Sequence, residues 1–107
     1  MVKKTIMLVC SAGMSTSLLV SNMQEAAKKR ELEADIFAVS ASEAYSNLSE
    51  KSVDVLLLGP QVRYMKSQFE KKLADRGIPV DVIDMSDYGR MNGEKVLTTA
   101  EELIANK

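Results

Sequence analysis

The sequence contains one cysteine, Cys10, which follows an apolar run and precedes a stretch of small and hydroxyl side chains. A loop that leads into a helix N-terminus directs several backbone N–H groups into one concavity, and the helix dipole adds partial positive charge there. Such a loop binds anions of the size of phosphate. We therefore predict a phosphate-binding loop of seven consecutive residues: Ser11, Ala12, Gly13, Met14, Ser15, Thr16 and Ser17. Cys10 at its mouth would be the nucleophile, since a helix N-terminus favours the thiolate.

The predicted loop is notable for a missing cation. No residue from 5 to 24 is charged. A phosphatase loop of the Cys-x5-Arg type has an arginine six residues after the cysteine, where it clamps the phosphate and stabilises the transferring charge. Thr16 occupies that position here. Because the loop offers only neutral donors and a thiolate is a good leaving group, we expect it to hold a phosphoryl group, to hydrolyse it slowly and to pass it onward.

Three other interpretations of Cys10 are open at this point. A free cysteine that ends a core strand is often only a packing residue. The loop is also compatible with a low-molecular-weight phosphatase or an arsenate-reductase-like enzyme, in which Asp84 or Asp87 would be the general acid. A redox-sensing binding module is the third interpretation, although the sequence offers no second cysteine to resolve a sulfenate.

Composition narrows the class of protein. The chain has 107 residues, enough for one domain, which we place at 1–107. Its net charge is −1 and its charges form no long blocks, so no nucleic-acid partner is predicted. The absence of histidine excludes Ser-His and Cys-His nucleophile pairs and a phosphohistidine carrier. With one cysteine and no histidine, no internal disulfide or structural zinc site can form, and we expect no metal or cofactor.

The N-terminal segment has the superficial form of a signal peptide. Two lysines precede an apolar run at 5–9 and then Cys10. The run is shorter than the roughly 7–15 residues of a signal-peptide core. No stretch approaches the ~20 apolar residues of a membrane span. We therefore expect a cytoplasmic protein that does not insert into the membrane.

Hydrophobic periodicity predicts strands that alternate with helices. A continuous apolar run predicts a strand at 5–9, and three further segments rich in apolar residues predict strands at 34–39, 53–58 and 79–83. Helical spacing predicts helices at 17–30, 42–52, 62–76 and 93–106, with one helical turn at 86–90. Ser42 is the expected N-cap of the second helix. This order predicts a single small α/β domain, with a four-stranded parallel open sheet, helices on both faces and a phosphatase-like loop after strand 1.

Several residues outside the loop are candidates for contact with a partner. Gly59, Pro60 and Gln61 follow the third strand and should therefore lie beside the Cys10 loop, because ligands bind at the carboxyl ends of parallel strands. An ordinary strand-to-helix turn with proline near its start explains the same three residues. Met14 and Tyr88 are the other predicted partner contacts. Tyr64 and Asp87 are either docking residues or ordinary surface positions.

Three segments resemble one protein family. They are residues 7–19 (MLVCSAGMSTSLL), 57–65 (LLGPQVRYM) and 82–89 (VIDMSDYG). They occur in the order found in the IIB components of the bacterial phosphoenolpyruvate-dependent sugar phosphotransferase system, lactose/cellobiose/chitobiose type, and the resemblance extends over nearly the whole chain.

The resemblance implies a phosphocysteine carrier. Cys10 would receive a phosphoryl group from a phosphohistidine of the IIA component. It would then transfer the group to a sugar bound by the membrane IIC component, a β-linked disaccharide such as cellobiose, chitobiose or lactose. The lack of histidine agrees with the acceptor role, since this chain cannot be the histidine-bearing donor.

Overall fold

The computed structural model describes residues 3–10 and 14–106. Within them, the strands are β1 (Lys4–Cys10), β2 (Ala34–Ser40), β3 (Val55–Leu58) and β4 (Val80–Val82). The α-helices are α1 (Met14–Lys29), α2 (Ala41–Glu50), α3 (Lys66–Leu73), α4 (Met85–Gly89) and α5 (Gly93–Ala105). Two 3₁₀ segments, Pro60–Met65 and Ala74–Arg76, flank α3. None of the described helices is both long enough and apolar enough to cross a membrane.

The four strands form one parallel sheet in the order β2-β1-β3-β4. Strand β1 lies in the interior of the sheet, between β2 and β3. The chain moves from β1 to one neighbour and later crosses to the other, so the strand order reverses beside β1. The carboxyl end of β1 is therefore the switch point at which open α/β sheets bind ligands. The predicted fold class, a four-stranded parallel α/β sheet, is confirmed.

Alternate residues of β1 supply the two faces of the core. Ile6 and Leu8 pack with α1 and α5 on one face, whereas Met7 and Val9 pack with α2 and α3 on the other. All four side chains are fully buried. A strand buried on both faces must be continuously apolar, which explains the run that predicted it.

Most element ends lie within two residues of the predicted ones, and three places differ by more or in the capping residue. Helix α1 begins at Met14, three residues before the predicted start, because residues 14–16 already belong to its first turn. Ser42 is not an N-cap: β2 runs directly into α2, and Ser40 occupies the cap position without a side-chain cap hydrogen bond. The segment after Gly59 is 3₁₀ up to Met65, with a non-helical backbone at Val62, and the α-helix starts only at Lys66.

Candidate functional site

Cys10 is the last residue of β1, at the carboxyl edge of the sheet. On one side, Cys10 pairs with Ser40 of β2. On the other side, the residue before it, Val9, pairs with Leu58 of β3. The cysteine is only 3% exposed. Burial on both sides by adjacent strands holds its sulfur at the switch point of the sheet.

Two neutral groups hydrogen-bond to the Cys10 sulfur. One is the side-chain hydroxyl of Thr16, in the first turn of α1, and the other is the backbone of Gly59, immediately after β3. Burial raises the pKa of the Cys10 thiol, and these two hydrogen bonds lower it by less. The sequence led us to expect a stabilised thiolate, but desolvation of the charged form outweighs the donors. The resting side chain is therefore a protonated thiol at neutral pH.

Thr16 connects Cys10 to a third element. Its side chain is buried, and its Oγ1 lies 2.9 Å from the hydroxyl oxygen of Tyr88. Tyr88 belongs to α4, whose N-cap residue Asp84 accepts hydrogen bonds from the backbone N–H groups of Ser86 and Asp87. The cap fixes the start of this short helix and thereby the position of the tyrosine beside α1.

A cavity of about 220 Å³ opens beside Cys10, on the β2 side. It is lined by Cys10, Thr16, Ser17, Ala38, Val39, Ser40 and Glu43. Among these described lining residues the only charged side chain is Glu43, which accepts a hydrogen bond from the Ser40 hydroxyl. An anion in this cavity would thus meet hydroxyl groups and the Glu43 carboxylate, without a lysine or arginine from the described residues.

Gly59 lies in contact with the Cys10 side chain. A Cβ atom on Gly59 would stand 2.9 Å from the Cys10 sulfur and 2.8 Å from Gln61 Oε1. Its φ is −64°, which any residue adopts, so the position requires glycine for space and not for backbone conformation. The same distances bring the Gln61 side chain next to Cys10, although Gln61 lines the neighbouring groove and not the cavity that contains the sulfur.

A second, larger groove of about 650 Å³ lies on the β3 side. It is lined by Pro60, Gln61, Arg63, Tyr64, Met85, Tyr88 and Gly89. Tyr64 and Met85 are its most exposed apolar side chains, at 76% and 63%. Three predicted partner contacts, Pro60, Gln61 and Tyr88, are thus brought together on one surface, and Gly59 lies at its border with Cys10. Contact with a partner remains a prediction for all four.

The two aspartates proposed as a general acid are engaged elsewhere. Asp84 caps α4, and the largely buried Asp87 lies 3.9 Å from the ammonium group of Lys95. Both line a small cavity against α5, whereas the cavity that contains Cys10 includes neither. This arrangement, together with threonine at position 16, argues against a phosphatase.

The redox interpretation is also disfavoured. Oxidation to a sulfenate requires an accessible sulfur with thiolate character. Cys10 is almost fully buried, and burial raises its pKa. Both properties make the thiol slow to react with peroxide.

Part of the predicted loop lies beyond what the structure describes. Ser11, Ala12 and Gly13 are outside the described residues, so their role in binding phosphate remains a prediction. Met14 and Ser15 form the start of α1. Of the predicted loop residues, Thr16 and Ser17 are those that the structure brings to the Cys10 cavity.

Sequence reasoning missed four residues of the cavity: Ala38, Val39, Ser40 and Glu43. The signal was available only indirectly: β2 pairs with β1 so that Cys10 faces Ser40, and α2 starts without a loop. The first turn of α2 must therefore lie beside Cys10. Neither the strand order nor the missing loop could be derived from periodicity.

The fold and the site define a class: small α/β proteins with a buried cysteine at the switch point of a parallel sheet and neutral hydrogen-bond donors around its sulfur. A family model described as "PTS system, Lactose/Cellobiose specific IIB subunit" matches residues 5–99. The chain therefore belongs to the lactose/cellobiose-specific IIB family of the sugar phosphotransferase system. It is a phosphotransferase component that functions in sugar uptake.

Curated relatives agree with this family. The chain is 50% identical over 107 residues to the galactose-specific EIIB component of Lactococcus lactis subsp. cremoris, covering 97% of this chain and 99% of that protein. The cellobiose-specific EIIB component of Lactococcus lactis subsp. lactis is also 50% identical, with the same coverage. The oligo-beta-mannoside-specific EIIB component of Bacillus subtilis is 41% identical over 104 residues, with 97% and 99% coverage.

Two solved structures share the fold. The cellobiose-specific IIB component from Borrelia burgdorferi superposes with a TM-score of 0.80 at 40% identity, covering 99% of this chain and 95% of that one. The lactose-specific IIB domain from Streptococcus pneumoniae superposes with a TM-score of 0.83 at 17% identity, covering 94% of this chain and 97% of that one. The second likeness bears on the fold alone.

Proposed function

We propose that Cys10 carries a phosphoryl group from a phosphohistidine of the IIA component to a sugar held by the membrane IIC component, in the cytoplasm. One observation carries this proposal. The Cys10 sulfur lies at the switch point of the sheet with neutral donors, Thr16 and Gly59, and no lysine or arginine lines its cavity among the described residues. Such a site should hydrolyse the phosphoryl group slowly, because no cation among the described residues stabilises the charge that develops when water attacks, whereas a docked partner can supply that charge for transfer.

The first half-reaction forms the phosphocysteine. The Cys10 thiol releases its proton to solvent, and the sulfur forms a bond to phosphorus as the P–N bond to the IIA imidazole breaks. The electron pair of that bond returns to the imidazole nitrogen. In a loose transition state, positioning of the reactants supplies most of the catalysis. The Thr16 hydroxyl and the backbone N–H groups of 11–17 would receive the phosphoryl oxygens.

The second half-reaction empties the site. A sugar hydroxyl oxygen attacks phosphorus, the electron pair of the S–P bond returns to Cys10 as a thiolate, and the hydroxyl proton passes to a base or to solvent. The sugar in this proposal is a β-linked disaccharide such as cellobiose, chitobiose or lactose. Relatives of equal identity have names that specify different sugars, galactose and cellobiose. This supports a mechanism in which the IIC component selects the sugar and the IIB component does not.

Docking of both partners is proposed at the carboxyl edge of the sheet. The groove of about 650 Å³ lies beside Cys10, and its exposed tyrosine and methionine offer apolar contact area. Arg63 is the only cationic side chain among the groove's described lining residues and has an exposed position. Gly59, Pro60, Gln61 and Tyr88, together with Met14, would contact the IIA component there.

The proposal is tested by following the phosphoryl group. The protein is incubated with phosphoenolpyruvate, the general phosphotransfer proteins and IIA, and intact mass and peptide mapping locate the adduct. We expect one phosphoryl group, on Cys10, and none in Cys10→Ser. An adduct on another residue, or one retained in Cys10→Ser, would contradict the assignment.

A second step tests transfer to the sugar. Membranes that contain IIC and a candidate disaccharide are added to the isolated phosphoprotein. We expect the adduct to disappear with formation of an equal amount of sugar phosphate. Release of inorganic phosphate at the same rate, with or without membranes, would identify a phosphatase instead.

A further inference from the structure

Three hydrogen-bonding side chains from three separate elements form a line that ends at the reactive sulfur. Cys10 ends β1, Thr16 lies in the first turn of α1, and Tyr88 lies in α4. The Thr16 hydroxyl hydrogen-bonds to the Cys10 side chain, and its Oγ1 is 2.9 Å from the Tyr88 hydroxyl oxygen. Thr16 is 72 residues away from Tyr88 in sequence, so only the fold brings them together.

The direction of these hydrogen bonds follows from the number of protons. A thiolate has no proton and can only accept a hydrogen bond. The Thr16 hydroxyl has a single proton, which it must donate to the sulfur when Cys10 is ionised. Its oxygen can then interact with Tyr88 only as an acceptor. The Tyr88 O–H is therefore the donor of the 2.9 Å hydrogen bond in the ionised state.

We propose that Tyr88 is a positioning residue, which donates to Thr16 and thereby directs the Thr16 proton onto the Cys10 sulfur. A hydroxyl that accepts one hydrogen bond becomes a better donor of the next, so the chain of two bonds stabilises the thiolate more than Thr16 alone. Without Tyr88, the Thr16 hydroxyl is free to rotate its proton away from the sulfur. The inference rests on the proposed function in that the stabilised thiolate is the phosphoryl acceptor.

Neighbouring residues hold this relay, the two hydrogen bonds from Tyr88 through Thr16 to Cys10, in place. Thr16 is only 4% exposed, which limits competition from water for its hydroxyl. The Tyr88 side chain packs against the core face formed by α1 and α5. Its backbone N–H donates to the Asp84 carbonyl at 2.9 Å, within the capped helix α4. The tyrosine hydroxyl is thus presented to Thr16 by a fixed ring.

The test measures the pH dependence of Cys10 alkylation by iodoacetamide, which needs no partner protein and reports on the only cysteine in the chain. The midpoint of this profile is the pH at which the alkylation rate is half its maximum. Loss of one hydrogen bond of ordinary strength in Tyr88→Phe should raise that midpoint by about 0.4 to 1 pH unit. The rate well below the midpoint should fall about threefold to tenfold, with the high-pH plateau unchanged. Tyr45→Phe is the matched control, since it removes a tyrosine hydroxyl from α2, where Tyr45 lines neither the groove nor the Cys10 cavity. Its profile should coincide with that of the wild type.

A double-mutant cycle with Thr16→Val separates a relay from a structural effect. If Tyr88 acts through Thr16, Tyr88→Phe will shift the midpoint in the wild-type background and in Thr16→Ser, which keeps the hydroxyl, but not in Thr16→Val. Equal shifts in all backgrounds, or no shift in any, would overturn the proposal. Should Thr16→Val fail to fold, Thr16→Ala, which also lacks the hydroxyl, takes its place in the cycle, and the same outcomes support or overturn the relay.

The outcome is independent of the proposed function. If the variants show the coupling between Tyr88 and Thr16 but the wild-type protein accepts no phosphoryl group from IIA, the carrier role is refuted and the relay stands. A protein that is phosphorylated on Cys10 but shows no coupling would refute the relay alone.

Discussion

Gly59 and Cys10 lie so close that a methyl group on Gly59 would stand 2.9 Å from the cysteine sulfur. This contact makes Gly59→Ala a direct probe of the site. The added methyl group must displace the buried sulfur, so we expect a loss of about 1–3 kcal/mol in the free energy of unfolding. We also expect a changed rate of Cys10 alkylation and slower phosphorylation by IIA.

Gly77→Ala is the matched control for Gly59→Ala. Gly77 has a φ of +66° and lies before β4, at the opposite edge of the sheet from Cys10. Alanine there is strained by about 1–2 kcal/mol, a destabilisation of similar size. Its Cys10 alkylation rate should nevertheless equal that of the wild type. If both variants change the alkylation rate equally, the effect of Gly59→Ala reflects lost stability and not contact with the sulfur.

The burial of Cys10 predicts a pH dependence of stability. Burial raises the pKa of the thiol in the folded chain, whereas the unfolded chain ionises near the ordinary value of about 8.5. The folded state therefore binds the proton more tightly. The resulting stability is fully present below the unfolded pKa and is lost as the pH rises through the folded pKa.

This dependence is isolated by comparison with Cys10→Ala. The free energy of unfolding from urea titrations should fall more steeply between pH 7 and pH 10 in the wild type than in Cys10→Ala, because only the wild type has a thiol to ionise. Each unit of difference between the folded and unfolded pKa corresponds to about 1.4 kcal/mol. Parallel curves for the two proteins would mean that the thiol ionises equally in both states.

If the groove beside Cys10 is a docking surface, a substitution in it should weaken binding of the IIA component without slowing phosphoryl transfer. Tyr64 is 76% exposed, so Tyr64→Ala should leave stability nearly unchanged. If the IIA component docks there, the KM for phosphorylated IIA should rise about fivefold, with kcat unchanged. Lys28→Ala, at the far end of α1, is the control and should leave both constants unaltered. A lower kcat with an unchanged KM in Tyr64→Ala would contradict a docking role.

Substitution of Gly93 should affect stability alone, because this glycine lies at the contact between α5 and α1. A Cβ atom there would overlap a backbone carbon of Asn22 and lie 2.5 Å from the Met23 nitrogen, so glycine at this position allows α5 to pack closely against α1. Gly93→Ala should lower the free energy of unfolding by about 1–3 kcal/mol or more, because backbone atoms cannot move aside as a side chain can.

Gly89→Ala provides the comparison for Gly93. Gly89 also lies in a helix, but an added Cβ would have no neighbour within 4 Å. Alanine should therefore leave stability unchanged or raise it slightly through its helix propensity. Both measurements are denaturant titrations. Equal losses at the two positions would show that the α1–α5 contact tolerates a methyl group.

Much of the fold could be predicted because hydrophobic periodicity reports local structure. The apolar run that became β1 and the helical spacing of α5 both reflect burial that each element requires wherever it lies. Element ends were less certain. Ser42 looked like an N-cap, but β2 continues to Ser40 and the helix starts at once, so the tertiary position of the strand decided the boundary.

The site was only partly predictable for a related reason. Cys10 and Thr16 are close in sequence and belong to one strand-to-helix connection, so their proximity follows from local structure. Glu43, Gly59 and Tyr88 come from three other connections. Their approach to the sulfur depends on the order of strands in the sheet, which no local pattern specifies.

The sequence by itself determined the chemistry that is available. It supplies one cysteine, no histidine and an uncharged segment from 5 to 24, and it thereby limits the candidate site to a cysteine nucleophile with neutral loop donors. The tertiary structure decided how that cysteine is held. It buries the sulfur, sets Gly59 against it and brings Tyr88 to Thr16. The physical reason is that parallel strands collect their carboxyl ends at one edge, where residues distant in sequence become neighbours and desolvation, a property of the whole fold, sets the pKa of the thiol.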